Sequence, residues 1–149
     1  MSTFGAERAQ DEVVLAARIL LIVLFVVFGW DKLTDYPDTV RYMAQTGAPV
    51  PSVAALVAIA MEVPVALAIA LGAWTRPLAL LLALYTLGTA LIGHPFWTVD
   101  GAAQYENEIN FYKNISITGG FFLLYVTGAG RYSVDAIVSA QPGARTRSI

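Results

Sequence analysis

The stretch VVLAARILLIVLFVVFGW, residues 13–30, carries a single charge, Arg18, and it limits the folds open to the chain. Three further runs share its character: residues 52–71 (SVAALVAIAMEVPVALAIAL), 77–93 (PLALLLALYTLGTALIG) and 109–127 (INFYKNISITGGFFLLYVT). Each is about 17–20 residues long, which at about 1.5 Å rise per residue roughly spans a hydrocarbon core of about 30 Å. A backbone in lipid must satisfy its own polar groups, so only helices or closed barrels cross, and these runs lack the alternation of barrel strands. The expected fold class is all-α: a membrane-embedded four-helix bundle.

Composition agrees with lipid as the solvent. Hydrophobic residues make up 57% of the 149 residues and charged residues 13%, against about a quarter charged in an average soluble domain. The length suits one domain. A net charge of -2 gives no reason to expect nucleic acid as partner. There is no cysteine and one histidine, His94. Disulfides, Cys-held clusters, thiol catalysis, His-rich metal sites and a bis-histidine haem are therefore excluded within this chain. No metal is expected, and an electron carrier must be a diffusible organic molecule or belong to another subunit.

The first run does not read as a cleaved signal. The segment before it, MSTFGAERAQDE, is acidic overall, the run exceeds a normal signal core, and GWDKLTDYP follows in place of a small-residue cleavage site. Arg8, Arg18, Arg76, Arg131, Arg145 and Arg147 gather at one end of the expected bundle. Lys32, Arg41, Lys113 and most acids gather at the other. The positive-inside rule then puts both termini in the cytoplasm of a multi-pass cell (inner or plasma) membrane protein. The chain divides into residues 1–12 as a cytoplasmic segment, 13–136 as the membrane domain and 137–149 as a flexible basic tail. In the first outer loop, Pro37 at a helix start, Val40, Met43 and Ala44 on one face and Gly47 as a stop predict a short interfacial helix. Gly72 and Pro77 predict a tight second turn. Glu106, Asn107 and Glu108 suit the start of the fourth helix.

RILLIVLFVVFGWDKL, YMAQTGAPVP, Glu62 followed by LGAWTRP, HPFW, INFYKNISITGGFFLL and GAGRYSVDA occur in this order. The set resembles the DoxX family of small membrane proteins over about residues 18–136. The resemblance implies a four-helix integral membrane protein. Some members are named for a subunit of a membrane-bound thiosulfate:quinone oxidoreductase or terminal quinol oxidase, and others are partners in membrane redox-stress complexes. A quinone and a redox partner protein are the cofactor and partner this implies, with self-association also open.

Charged and polar residues inside the runs are the candidate site. Glu62 falls halfway along its helix, where an ionised carboxylate costs several kcal/mol unless it is paired or faces a wet interior. Pro64, two residues on, removes a backbone bond beside it. The expected partners are Arg18 from one side and Lys113 from the other, with Asn110, Asn114 and Tyr85 completing one polar core. The same set also reads as interhelical glue with no ligand. His94, as an imidazole with an unperturbed pKa of about 6.5, together with Phe96 and Trp97 is a candidate quinone-head site. It also reads as an inert interfacial turn. Lys32 and Trp30 are expected at the interface, Lys32 snorkelling and paired with Asp31 or Asp35. Gly88, Ala83, Gly119 and Gly120 are expected to let helices pack closely.

Three functions are compatible with these residues: an accessory or quinone-facing subunit of a membrane redox system, not catalytic alone; a non-catalytic scaffold or assembly protein; and a small solute or proton transporter using Glu62.

Overall fold

The computed structural model describes residues 3–140 and is all-helical over them. Arg145 and Arg147 in the basic tail, and the side chain of Arg8, lie outside the described residues. Helix α1 (Thr3–Thr34) runs well past residues 13–30 at both ends. No glycine or proline interrupts AERAQDEVVLAARIL, so the helix continues through the polar head. Asp35 caps α2 (Tyr36–Gln45) by accepting from the Asp38 backbone N–H at 3.2 Å. Gly47, at φ +74, ends α2, with the Ala48 N–H returning to the Met43 carbonyl at 3.0 Å.

The second long element is α3 (Pro51–Ala60), a π-helical turn (Met61–Val65) and α4 (Ala66–Leu71) in one continuous run. Pro64 brings no N–H, and the wider turn absorbs the missing α-helical bond. Gly72 at φ +70 closes α4, and α5 (Thr75–Gly93) follows at once. A 3₁₀ turn (Phe96–Thr98) leads into α6 (Gly101–Thr127), which starts at Gly101 in the left-handed region, φ +64. Glu106, Asn107 and Glu108, expected at the start of this helix, therefore sit inside it. The short α7 (Val134–Ser139) is capped by Ser133.

Among the described residues, three spans are long and apolar enough to cross a membrane: Ala9–Thr34, Pro51–Leu71 and Thr75–Thr98. The first half of α6 is more polar, with Glu106, Glu108, Asn110, Lys113 and Asn114. All four long elements nevertheless share one core, built from Ile22 and Phe25 of α1, Met61, Ala66 and Ile69 of the second element, Leu82 and Ala83 of α5, and Phe121 and Leu124 of α6. Phe25 and Phe121 meet edge to face at 5.4 Å. Fully burying residues of this size is worth about 1.5–3 kcal/mol each in water; in lipid the gain comes instead from close packing.

Close packing is not spread evenly over the glycines. A Cβ on Gly120 would come within 3.0 Å of Leu21, in line with a packing role. One on Gly29 would meet Glu62 Cβ at 2.7 Å and the Glu62 carbonyl carbon at 2.9 Å, so α1 touches the π turn backbone there. Gly88 and Gly119, expected to serve the same purpose, have nothing within 4 Å of a Cβ. They do not hold helices together.

The lengths of the helices create a space. Gly29 stands level with Glu62, and α1 ends at Thr34, about 7 Å further on at about 1.5 Å per residue. Running the other way, α3 extends from Glu62 to Pro51, about 16 Å by the same rise. Helix α1 thus stops short of its neighbour, and α2 folds back against α3 into the gap, with the Tyr36 hydroxyl donating to the Ser52 carbonyl at 3.2 Å. Below α2 remains a cavity of about 900 Å³, walled by α1, α2, α3, α5 and α6.

Candidate functional site

Glu62 sits in the wall of this cavity, only 7% exposed. Both of its oxygens have partners. Lys32 Nζ donates to Oε2 at 2.7 Å, and the Tyr85 hydroxyl donates to Oε1 at 2.6 Å. A charge so placed is tolerated because it is paired and hydrogen-bonded. The π turn presents Glu62, while α5 presents Tyr85 ten residues after its start.

Lys32 was expected at the membrane boundary with Asp31 or Asp35. It turns inward, and the reason is geometric. Side chains on a helix lean toward its N-terminus, which from the end of α1 is toward the interior. Its Nζ lies 3.4 Å from the Phe28 carbonyl and 5.9 Å from the Phe28 ring centroid. Gly29 and Lys32 are three apart and share a face. Gly29 lets the helix approach, and Lys32 reaches the acid. That spacing was the signal in the sequence; it is recognisable only once α1 is known to end early.

Arg18 does not belong to this cluster. It is 2% exposed and donates to the carbonyls of Ala129 and, at 2.7 Å, Tyr132. The expected Arg18–Glu62 pairing is corrected: α1 carries Arg18 to the opposite end of the core, where the chain after α6 passes over it. Asp135 completes this second polar cluster, accepting from the backbone N–H groups of Trp74 and Thr75 at 2.8 and 3.0 Å. It thereby supplies the cap that the start of α5 lacks in its own segment. Asp11 accepts from the Arg131 N–H at 3.1 Å. Burial alone would push Asp135 up, but the bonds from Thr75 and Trp74 and the nearby Arg18 charge outweigh it and hold the carboxyl below its usual range.

Across the cavity from α1 lie Asn110, Lys113 and Asn114 of α6. Lys113 donates to Asn110 at 2.6 Å rather than to Glu62. Asn114, 8% exposed, donates to the Thr89 hydroxyl at 3.5 Å, the limit of a hydrogen bond. His94 also lines the cavity, its Nδ1 3.4 Å from Asn107 Oδ1. Phe96 and Trp97 do not line it. They form an aromatic cluster with Phe111 and Tyr112, with Phe96–Phe111 centroids at 5.4 Å. The expected His94–Phe96–Trp97 set is therefore divided. Trp30 is 60% exposed and faces away from the cavity.

Leu24, Phe25, Phe28, Val57 and Ile92 give the lining an apolar side, and Asp31, Asp35, Asp38, Thr39 and Tyr42 make it polar toward α2. Burial, and then the Glu62 charge, push the Tyr42 phenol above its usual range. Sequence reasoning missed Tyr42 and Thr39 because an interfacial helix was expected to lie on the membrane, not over an interior space. Among the described residues no cluster of His, Asp or Glu has the makings of a metal site. The arrangement offers donors, a paired acid and apolar walls in one enclosure.

The DoxX family model matches residues 13–95, which hold most of α1, all of α2 to α5 and most of the cavity wall. The chain is similar to the inner membrane protein YphA of Escherichia coli (strain K12), with 51% identity over 132 residues, 89% of this chain and 93% of that protein. It is also similar to the inner membrane protein YqjF of the same organism, with 40% identity over 133 residues, 89% of this chain and 97% of that protein. No solved structure matches it. The match over residues 13–95, more than half of the chain, with near full-length relatives, places this chain in the DoxX family of integral membrane proteins.

Proposed function

We propose that the chain is a quinone-facing accessory subunit of a membrane redox system, built as a four-helix bundle in the inner membrane with both termini in the cytoplasm. The observation that carries this reading is the cavity itself: about 900 Å³, apolar along α1 and α3, and polar where Glu62, Lys32 and Tyr85 meet. A quinone head needs donors for its carbonyl oxygens and a proton carrier nearby, and its tail needs apolar walls. Lys32 and Asn114, each with an N–H beyond those bonded within the fold, are suited to donate, Glu62 and His94 to hold a proton, and Leu24 and Phe28 to line the tail. A bound quinone would accept two electrons and two protons. With no cysteine and one histidine in the sequence, the electrons would come from a partner protein.

The α6 helix is the fourth crossing in this reading. Its polar residues Asn110 and Asn114 face the cavity, which removes part of the cost of placing them in lipid. The arginine-rich end near α7 faces the cytoplasm by the positive-inside rule, and α2 lies on the outer side.

A second reading has its own support. Glu62, Lys32 and Tyr85 satisfy one another without any ligand, as an internal strut in a scaffold protein would. Purification in mild detergent, followed by identification of bound protein and lipid-soluble small molecules, separates the two. The redox reading expects quinone and a redox protein to co-purify. A chain that arrives with neither, and takes up no added quinone, is a scaffold.

A further inference from the structure

Gly88 sits in mid-helix on α5, one turn beyond Tyr85, and lines the cavity. Glycine in a helix interior is unfavourable relative to alanine, so its presence calls for a cause. Neither of the usual causes applies. Its φ is not in the left-handed region, and a Cβ there would meet nothing within 4 Å. The space above it is the cavity. Gly93, on the same wall, is likewise open. Thr89 and Ile92 line the cavity between them, so the bare backbone is that of Gly88 itself, set between Tyr85, which is bonded to Glu62, and Thr89, to whose hydroxyl Asn114 donates its one side-chain bond at a long 3.5 Å.

We infer that Gly88 is the specificity-determining residue of this cavity, its bare backbone being the surface on which the flat ring of a lipid-soluble ligand lies. A planar conjugated group can approach the bare backbone at Gly88 to van der Waals distance, whereas branched or bulky groups cannot. Oxygen acceptors on opposite edges of such a ring would face Lys32 at one side and Asn114 at the other. The ligand class is therefore a thin aromatic or quinonoid ring bearing carbonyl or hydroxyl oxygens on opposite edges and attached to an apolar tail. This rests on the reading above that the cavity holds a quinone, and it adds the residue that selects for flatness.

The test uses the full chain in mild detergent with Gly88→Ala and Gly88→Leu. Binding of a short-chain benzoquinone is measured by equilibrium dialysis, thermal midpoints are recorded, and molecules retained from the membrane are identified by mass spectrometry. The expected result is binding by the native protein, at least tenfold weaker binding by Gly88→Ala, none by Gly88→Leu, and thermal midpoints that are unchanged or raised. Equal quinone binding by all three proteins overturns the role of Gly88 and leaves the quinone reading standing. A retained ring compound other than a quinone that is missing from Gly88→Leu overturns the quinone reading and supports the role of Gly88. A native protein that binds no benzoquinone and retains no ring compound overturns both, whereas a midpoint lowered by Gly88→Ala overturns the role of Gly88 alone, since that would mean the glycine serves packing.

Discussion

Lys32 Nζ lies 2.7 Å from Glu62 Oε2, joining the last turn of α1 to the middle of the second apolar helix. Two features make this possible: α1 stops short, and Gly29 brings its backbone against the π turn. Lys32 supplies the positive charge beside this acid, and the Tyr85 hydroxyl fills the other carboxylate oxygen. The acid, its cation and the cavity beside them follow from one difference in helix length.

Gly29 is the contact on which this depends. Gly29→Ala adds a Cβ about where Glu62 Cβ and carbonyl already are, at 2.7 and 2.9 Å. The expected cost is about 1–3 kcal/mol, the usual range for overpacking, seen as a lowered thermal midpoint in detergent. Gly119→Ala, with nothing within 4 Å, serves as control and leaves the midpoint in place. Equal behaviour of the two variants would mean that α1 and the π turn are not in contact.

Tyr85→Phe removes a single hydroxyl and leaves Glu62 Oε1 without its 2.6 Å donor. Loss of a hydrogen bond to a charged group costs about 1.5–3 kcal/mol. Thr86→Val on the neighbouring position removes a hydroxyl bonded only within its own helix, to the Leu82 carbonyl, and is expected to cost less. Chemical denaturation of both variants in the same micelle gives the comparison; a larger loss for Thr86→Val contradicts the assignment of Tyr85.

Arg18 secures the other end. Arg18→Met frees the carbonyls of Ala129 and Tyr132 and is expected to loosen the segment after α6. Hydrogen exchange at residues 128–140 should then rise by at least tenfold while exchange around Glu62 stays as it was. Faster exchange at Glu62, with no change after α6, would put Arg18 back in the central polar cluster.

Asp135 gives this end a pH dependence. Its carboxyl lies below the ordinary value of 3.8 in the folded chain. A depressed carboxyl contributes stability fully above the unfolded value and loses it as pH falls through the lower folded value. The clasp of α7 on the α4–α5 turn is therefore expected to hold at neutral pH and to weaken progressively below about pH 4. Asp135→Asn should flatten this acid limb, read as protease sensitivity of residues 128–140 against pH. An acid limb of unchanged steepness in Asp135→Asn would assign it to another carboxylate.

The parts of this fold legible in the sequence are those set by one periodicity or one residue. Apolar runs at membrane length gave three of the spans, Pro37 with Gly47 bounded α2, Gly72 ended α4, and Pro64 marked the break beside Glu62. The partner of Glu62 was not legible, because pairing depends on the relative heights of helices. Counting from helix ends placed Arg18 and Lys113 within reach of the acid. The actual heights follow from where α1 ends, and α1 proved longer at its start than its apolar run. Gly88 and Gly29 were indistinguishable as letters. Only the distance from each to its neighbours separates a contact from an opening.

The Lys32–Glu62 pair is the central claim, and a double-mutant cycle tests it most directly. Thermal or denaturant stability is measured for the native chain, Lys32→Met, Glu62→Gln and the double variant in one detergent. Each single change is predicted to cost about 3 kcal/mol, because it leaves a buried partner unpaired, and the double variant to cost clearly less than the sum of the two. Strictly additive losses, or a Lys32→Met protein as stable as the native one, would mean that Lys32 does not hold the buried acid.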